Sequence, residues 1–280
     1  MNPTLDTVTI YKMQGCGNDF VFIDNREINV PESHMSEWAQ KICRRAFGVG
    51  ADGLVFLEET DDDSLDYRWH FYNADGSRAE MCGNASRCAA KLAVQLGLAG
   101  PMHTFGTDAG PIRAELCADD EIKVELTPPQ GLELNKPITL NDSEETIHFV
   151  NTGVPHAVFI AEDASSLDVK DLGAQVRYHE LFAPAGTNAN FMSITNRENV
   201  LLRTYERGVE DETFACGTGS VAGVVVANAL GLTGTNVRVT SSGGEILSIS
   251  IEGDSVFLKG KALLIYSGNA LLESLGLTLN

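Results

Sequence analysis

The chain has 280 residues, 43% of them apolar and 21% charged, and a formal net charge of −19. That length and composition suit a globular protein with a sizeable core and room for two domains rather than a disordered chain. The acidic excess argues against a nucleic-acid backbone or an anionic membrane surface as partner, and it says little about a small zwitterion.

Met1–Thr9 contains Asp6 and no Lys or Arg, and no basic start precedes an apolar core, so no secretory signal is predicted. Period-2 alternation predicts strands over Thr7–Lys12, Tyr67–Asn73, Glu121–Leu126, Val200–Tyr205 and Glu245–Ile251, most of them antiparallel. Ser33–Phe47 reads as a helix, with Ser33 as its cap and Gly48 as its stop. Two further helices start just after Cys82 and Cys216. Asp119–Asp120 is a predicted turn, Thr127–Gly131 a turn or linker, and Asn135–Glu145 polar and loop-like. Those signals place a domain boundary near Thr127–Asn135. The second of the two late helices, Ser220–Leu230, is apolar almost all round, which predicts burial on every side. The longest apolar stretch, Val221–Leu232, is too short and too interrupted by Gly and Asn to span a bilayer.

A shift of 134 residues lays Cys82-Gly83 on Cys216-Gly217, Ser86 on Ser220, Ala93 on Ala227 and Leu96-Gly97-Leu98 on Leu230-Gly231-Leu232. Gly100 then meets Gly234, and Gly110 meets Gly244, without a gap. Such a register across helix, turn and strand implies two related halves. A buried helix among many short strands suggests a helix enclosed by a curled sheet, present twice.

Six cysteines and no predicted signal point to reduced thiols and a cytoplasmic location. No CxxC pair and no Cys/His cluster with zinc spacing occurs, so no metal is expected. Cys43, Cys88 and Cys117 read as packing. Cys82 and Cys216 differ, because each starts a helix and precedes Gly and a small polar residue. The first N–H groups of a helix lack internal acceptors and favour a carboxylate. The same field lowers a thiol's pKa. Each half thus offers a carboxylate cradle and an activated thiol. Facing one ligand, two such thiols could remove an α-proton and return one to the opposite face, as an epimerase needs. The other polar Gly-rich loops read mainly as turns. Arg207 stands out as a partner for a second carboxylate, with an ion pair to Glu206 or Glu210 as the plainer alternative.

Several segments together resemble the diaminopimelate epimerase family. They are Lys12–Phe20 (KMQGCGNDF), Gly50–Gly53 (GADG), Asn73–Ser77 (NADGS) and Met81–Asn84 (MCGN) with Arg87-Cys88. The series continues through Asn151–His156 (NTGVPH), Gly186–Asn188 (GTN), Tyr205–Gly208 (YERG) and Ala215–Gly219 (ACGTG). The resemblance implies an α+β fold of two pseudo-symmetric halves, each a curled, mostly antiparallel sheet around a central helix. Residues 1–128 with a tail at 264–280 would form the half carrying Cys82, and 129–263 the half carrying Cys216. It also implies interconversion of LL- and meso-diaminopimelate for lysine and peptidoglycan precursors, without pyridoxal phosphate, metal or other cofactor, by a homodimer. Cys82 and Cys216 would be the proton-transfer pair. Gly83, Asn84, Gly217 and Thr218 would hold the reacting carboxylate through their N–H groups. Asn18, Asn73, Asn188 and Arg207 would read the distal end, Glu206 would lie by the reacting centre, and His156 would support the thiols. Some family members carry Asn at the position of Val154 and Gln at that of Gly53, and this chain lacks both side chains.

Three alternatives stand beside that reading. They are a proline or hydroxyproline racemase-like enzyme with the same two-thiol logic, a thiol-switch protein joining Cys82 to Cys216, and a non-catalytic dimer module.

Overall fold

The computed structural model describes residues 6–141 and 143–279. Residues 1–5 of the Met1–Thr9 segment, and Asp142 of Asn135–Glu145, lie outside the described residues. The chain divides into two compact units. One runs to Val124 and resumes at Lys261; the other is Glu125–Gly260.

The first unit contains β1 (Thr7–Gly15), β2 (Asn18–Asp24), a one-turn α1 (Asn25–Ile28), α2 (Glu32–Ile42), β3 (Gly53–Glu58) and β4 (Tyr67–Asn73). Next come α3 (Gly83–Gln95), β5 (Met102–Thr107) and β6 (Gly110–Leu116), and β7 (Glu121–Leu126) leads out of the unit. Most neighbours pair antiparallel, but β2/β3 and β4/β5 are parallel. A parallel pair cannot close through a hairpin and needs a crossover. In sequence, α2 lies between β2 and β3, and α3 between β4 and β5.

The two crossovers use different faces of the sheet. Met35, Trp38, Ala39 and Ile42 of α2 share one core with Val21, Ile23, Leu54 and Phe56. The alternate positions Phe20 and Phe22 turn the other way, and Phe20 meets Phe71 edge-on at 5.9 Å. Here α3 touches β1, β2, β3 and β6. Its run of Ala85, Cys88, Ala89, Ala90 and Ala93 is buried throughout. Small side chains let strands approach one helix from several sides.

The second unit begins with β8 (Gln130–Leu140), β9 (Ser143–Asn151), β10 (Pro155–Ile160), α4 (Val169–Arg177) and β11 (Asn188–Asn196). It continues with β12 (Asn199–Glu206), β13 (Asp211–Thr213), α5 (Gly217–Ala229), β14 (Asn236–Ser241), β15 (Ile246–Glu252) and β16 (Ser255–Lys261). The topology repeats: β10/β11 and β12/β14 are the parallel pairs, and α4 and α5 are the crossovers. Val169 and Val176 of α4 pack with Ala157, Phe159 and Phe191, while α5 touches β9, β10, β11, β12 and β15. Finally β17 (Leu263–Leu271) pairs antiparallel with β1, as β8 pairs with β9, and the one-turn α6 (Leu272–Leu275) follows. The helices α3 and α5 are both 13 residues long and begin 134 residues apart, the offset of the sequence repeat.

Some sequence expectations need correction. The first long helix starts at Glu32 with Pro31 in the cap position, so Ser33 lies inside it. Proline already holds the φ a helix entry needs, and its missing N–H costs nothing there. That helix stops at Ile42 rather than Phe47, because the chain folds back at once: the Gly50 N–H donates to Ile42 O. Asn135–Glu145 is largely strand, in the β8–β9 hairpin, whereas Thr127–Pro129 lie outside any strand and only Gln130 and Gly131 of the expected linker belong to β8. Only Ile138 and Leu140 of β8 are buried, and its register with β9 shifts twice, so alternation is faint there. The helix expected just after Cys216 does start there, at Gly217, and ends at Ala229. No helix among the described residues is long and apolar enough to cross a membrane.

Candidate active site

In the first unit, Cys82 is the residue before α3, in extended backbone at φ −148°, ψ 122°. Its carbonyl accepts the Ser86 N–H at 2.8 Å and closes the first turn. The amides of Gly83 and Asn84 then have no intrahelical acceptor, as at any helix start. The Asn84 side chain donates to Asn18 Oδ1 at 2.6 Å, and Asn18 Nδ2 donates to Asp52 Oδ2 at 3.1 Å.

A charged knot holds Asn18 in place. Lys12 Nζ bonds Asp19 Oδ2 at 2.6 Å, and Arg45 reaches Asp19 at 2.9 Å and Asp52 at 3.0 Å. The tight turn before Asn18 is made by Cys16 at φ 54° and Gly17 at φ 82°. Burial raises the Asp19 pKa, but hydrogen bonds and charge from Lys12 and Arg45 outweigh it and hold the carboxyl below its ordinary value. A carboxyl depressed by folding adds stability above its unfolded pKa and loses it as pH falls through the folded value. The Asn18 loop is therefore expected to loosen below about pH 4. Melting curves across that range should show less acid sensitivity in Asp19→Asn than in the wild type; equal sensitivity would refute this account.

Arg87 lies beneath the cradle and is fully buried. It donates to Gly83 O at 3.1 Å, Asn84 Oδ1 at 2.9 Å, Cys16 Sγ at 3.1 Å and Lys261 O at 3.4 Å. Asn73 is exposed, and its side chain donates to Ser77 Oγ at 3.0 Å. Its turn is tied to the knot by the Ala74 N–H on Asp52 O at 3.0 Å. Gly53 pairs with Asn73 across the strands, and a Cβ there would come within 2.6 Å of the Phe71 ring and 2.9 Å of Tyr72 O. The missing side chain at Gly53 is thus set by packing.

The second unit repeats the cap. Cys216 precedes α5 at φ −115°, ψ 111°, and its Sγ accepts the Gly219 N–H at 3.4 Å. Thr218 Oγ1 lies 3.5 Å from the same sulfur, and Thr152 Oγ1 holds Thr218 O at 3.0 Å. Gly217 sits against Leu258. A Cβ at Gly219 would overlap Asn190 Oδ1 and lie 3.2 Å from Thr204 Oγ1 and 3.3 Å from Cys216 Cβ. Gly219→Ala should therefore push the cap off its buried polar neighbours. The expected cost is about 1–3 kcal/mol of stability with a slower Cys216, read by chemical denaturation and by alkylation rate; a wild-type rate would contradict it.

Asn188 is buried and committed: Nδ2 donates to Pro155 O at 3.1 Å, and Oδ1 accepts the Arg207 N–H at 2.7 Å. Arg207 Nη1 donates to Ala185 O at 3.1 Å, and among the described residues the guanidinium has no ion pair. Glu210 is taken instead by Arg177, at 3.1 Å. Burial raises the Glu206 carboxyl above its ordinary value. His156 is fully buried, and its Nδ1 meets Asn190 Nδ2 at 3.0 Å. Burial pushes the Cys43 and Cys88 thiols up to about 12, which leaves them poor nucleophiles.

The structure joins Asn18, Gly83, Asn84 and Cys82 in one unit, with Asn73 linked through its turn. In the other it gathers Cys216, Gly217 and Thr218, and sets Asn188 on Arg207. Sequence reasoning gave no role to Lys12, Asp19, Arg45, Asp52, Arg87, Asn190 or Thr204. A signal existed for two of them. Arg87 is four residues from Gly83, hence on one helix face. Asn190 is two from Asn188, hence on one strand face.

The fold has counterparts among solved structures. A phenazine biosynthesis protein of the PhzF family from Bacillus anthracis matches with a TM-score of 0.71 at 14% identity, over 95% of this chain and 100% of that one. A hydroxyproline epimerase from Agrobacterium vitis, solved with trans-4-hydroxy-L-proline, matches with a TM-score of 0.68 at 16% identity, over 97% and 94%. This is the two-domain, sheet-dominated α+β architecture of those proteins. Within it, the model of the diaminopimelate epimerase family matches residues 10–132 and 148–265. A diaminopimelate epimerase from Hydrogenobaculum sp. (strain Y04AAS1) is 45% identical over 92% of this chain and 97% of its own length. The chain belongs to the diaminopimelate epimerase family, whose members are isomerases.

Proposed function

We propose that this protein interconverts LL- and meso-diaminopimelate with Cys82 and Cys216 as its acid and base, and so serves lysine and peptidoglycan precursor synthesis. The observation that carries the reading is the equivalence of the two thiols: each stands before a 13-residue buried helix, at the same place in a repeated topology. One thiolate takes the α-proton, so the C–H bond breaks and an S–H bond forms. The electron pair left on carbon spreads into the carboxylate, which the amides of Gly83, Asn84, Gly217 and Thr218 stabilise. The other thiol then returns a proton to the opposite face. Nothing is oxidised or reduced, and no cofactor takes part.

Recognition of the distal amino-acid end falls to Asn18, Asn73, Asn188 and Arg207, with Glu206 by the reacting centre and His156 in support. The Arg207 guanidinium, which has no ion pair among the described residues, supports this part, since it is ready to take a carboxylate. A homodimer, working in the cytoplasm, completes the reading. Leu264, Ile265 and Tyr266 on β17 are exposed together, which supports self-association.

A coupled assay with LL-diaminopimelate, run beside proline and trans-4-hydroxy-L-proline, tests the substrate. Turnover of the first alone is expected. Turnover of proline without diaminopimelate would replace this reading with the racemase one. A reduced wild type without α-deuterium exchange would favour a thiol switch. Substrate that leaves the alkylation rate of both thiols unchanged would favour a non-catalytic module.

A further inference from the structure

The buried polar group around His156 fixes more than a position. Asn190 is fully buried on β11, and its Nδ2 donates to Ala157 O at 3.0 Å. A backbone carbonyl can only accept, so the amide cannot be flipped. Its oxygen then faces Thr204 Oγ1, which donates at 2.9 Å. The second N–H of the same Nδ2 points at His156 Nδ1, 3.0 Å away. A donor there requires a lone pair on Nδ1, and a neutral ring must then carry its proton on Nε2.

We infer that Asn190, clamped by Ala157 and Thr204, is a positioning residue that holds the His156 proton on Nε2, so that the imidazole serves the site as a hydrogen-bond donor and not as a base. This rests on the two-thiol reading for its use and adds a residue and a direction to it. The His156 Nε2 is buried and has no hydrogen-bond partner among the described residues. A buried donor left open in a folded protein calls for an explanation, and beside the Cys216 cap an acceptor supplied by the reaction provides one. The chemistry that fits is a sulfur or oxygen carrying negative charge, a thiolate or a carboxylate. The cluster is continuous with the second thiol cap: Asn190 Oδ1 and Thr204 Oγ1 lie against Gly219, whose N–H donates to Cys216 Sγ.

Charging the ring is also disfavoured. Burial pushes His156 down to about 3, and the nearby Arg207 charge adds to that. A ring that resists a second proton cannot take one from a thiol. It can steady the anion that remains after the proton has gone elsewhere.

Ring nitrogen NMR on the full-length, uniformly ¹⁵N-labelled protein tests this, with His156→Gln to assign the signal. The wild type should show its proton on Nε2 and no titration from about pH 6 to pH 8. Asn190→Asp offers only acceptors to Nδ1 and should move the proton there. If that variant fails to fold, Asn190→Leu removes the donor and should give a mixture of tautomers. In either variant, turnover at saturating diaminopimelate should fall about 10-fold or more while KM stays within about 3-fold. A wild-type ring protonated on Nδ1, one that titrates in this range, or a folded variant with an unchanged ring overturns the inference. A ring as expected in a protein that does not turn over diaminopimelate would sink the substrate reading and leave the tautomer standing.

Discussion

Cys82→Ala and Cys216→Ala are each expected to lower the rate of diaminopimelate epimerisation by about 10²–10⁴-fold. Inversion needs a proton removed on one face and one delivered on the other, so losing either thiol should break the cycle whichever stereoisomer is supplied. The two losses should not multiply. Groups that act as a unit cost nearly as much singly as together, so the double variant should fall little below the worse single one. The control is Cys43→Ala. That thiol is buried in the core beside α2 and pushed up to about 12, so its loss should leave turnover close to wild type. Initial rates in reducing buffer decide the matter. Either single variant retaining more than about a tenth of wild-type activity would refute the paired role. A drop equal to that of Cys43→Ala would assign the effect to packing.

Much of this site is legible in the chain because it rests on local rules. Gly after Cys, a small polar residue, and then an apolar helix announce an N-terminus wherever they occur. The repeat at 134 residues then announces that there are two. Tyr67–Asn73 and Glu121–Leu126 are strands at their predicted ends; Glu121–Leu126 alternates cleanly, while Trp69–Tyr72 are buried in succession. What alternation cannot reveal is pairing. The parallel pairs β2/β3 and β10/β11 arise because α2 and α4 intervene, and nothing in a strand's own pattern says which neighbour it will take. The same limit hides the polar supports. Asp19, Arg45 and Asp52 meet only because β2 and β3 lie side by side, and Asn190 meets His156 only because β10 and β11 do. A charge read along the sequence looks solvated until a second strand is laid against it. β8 is missed for a related reason: with Glu133, Asn135 and Lys136 outside the core, its pattern is that of a loop.

Arg87→Met is expected to cost about 3–5 kcal/mol of folding stability. Two effects oppose each other. Methionine fills similar space and removes a charge that burial had stripped of water, which favours the variant. Against that, Gly83 O, Asn84 Oδ1, Cys16 Sγ and Lys261 O all lose a donor at once. A buried acceptor left without a donor costs about 1–3 kcal/mol. Gly83 and Asn84 are themselves buried, so water cannot easily replace the guanidinium, and the second effect wins. Arg87→Lys keeps the charge but has no planar fork, so it should recover only part of the loss. The consequence reaches the ligand through Asn84. Its oxygen is held by Arg87 while its nitrogen holds Asn18, so releasing one end frees the other. KM for diaminopimelate should rise in both variants, more in Arg87→Met. Urea unfolding and steady-state kinetics measure the two consequences separately. If Arg87→Met unfolds at the wild-type midpoint, the donors to those four acceptors do not carry the stability. If KM is also unchanged, Asn84 keeps its place without Arg87, and the turn at Asn18 is anchored by Lys12, Arg45 and Asp52 alone.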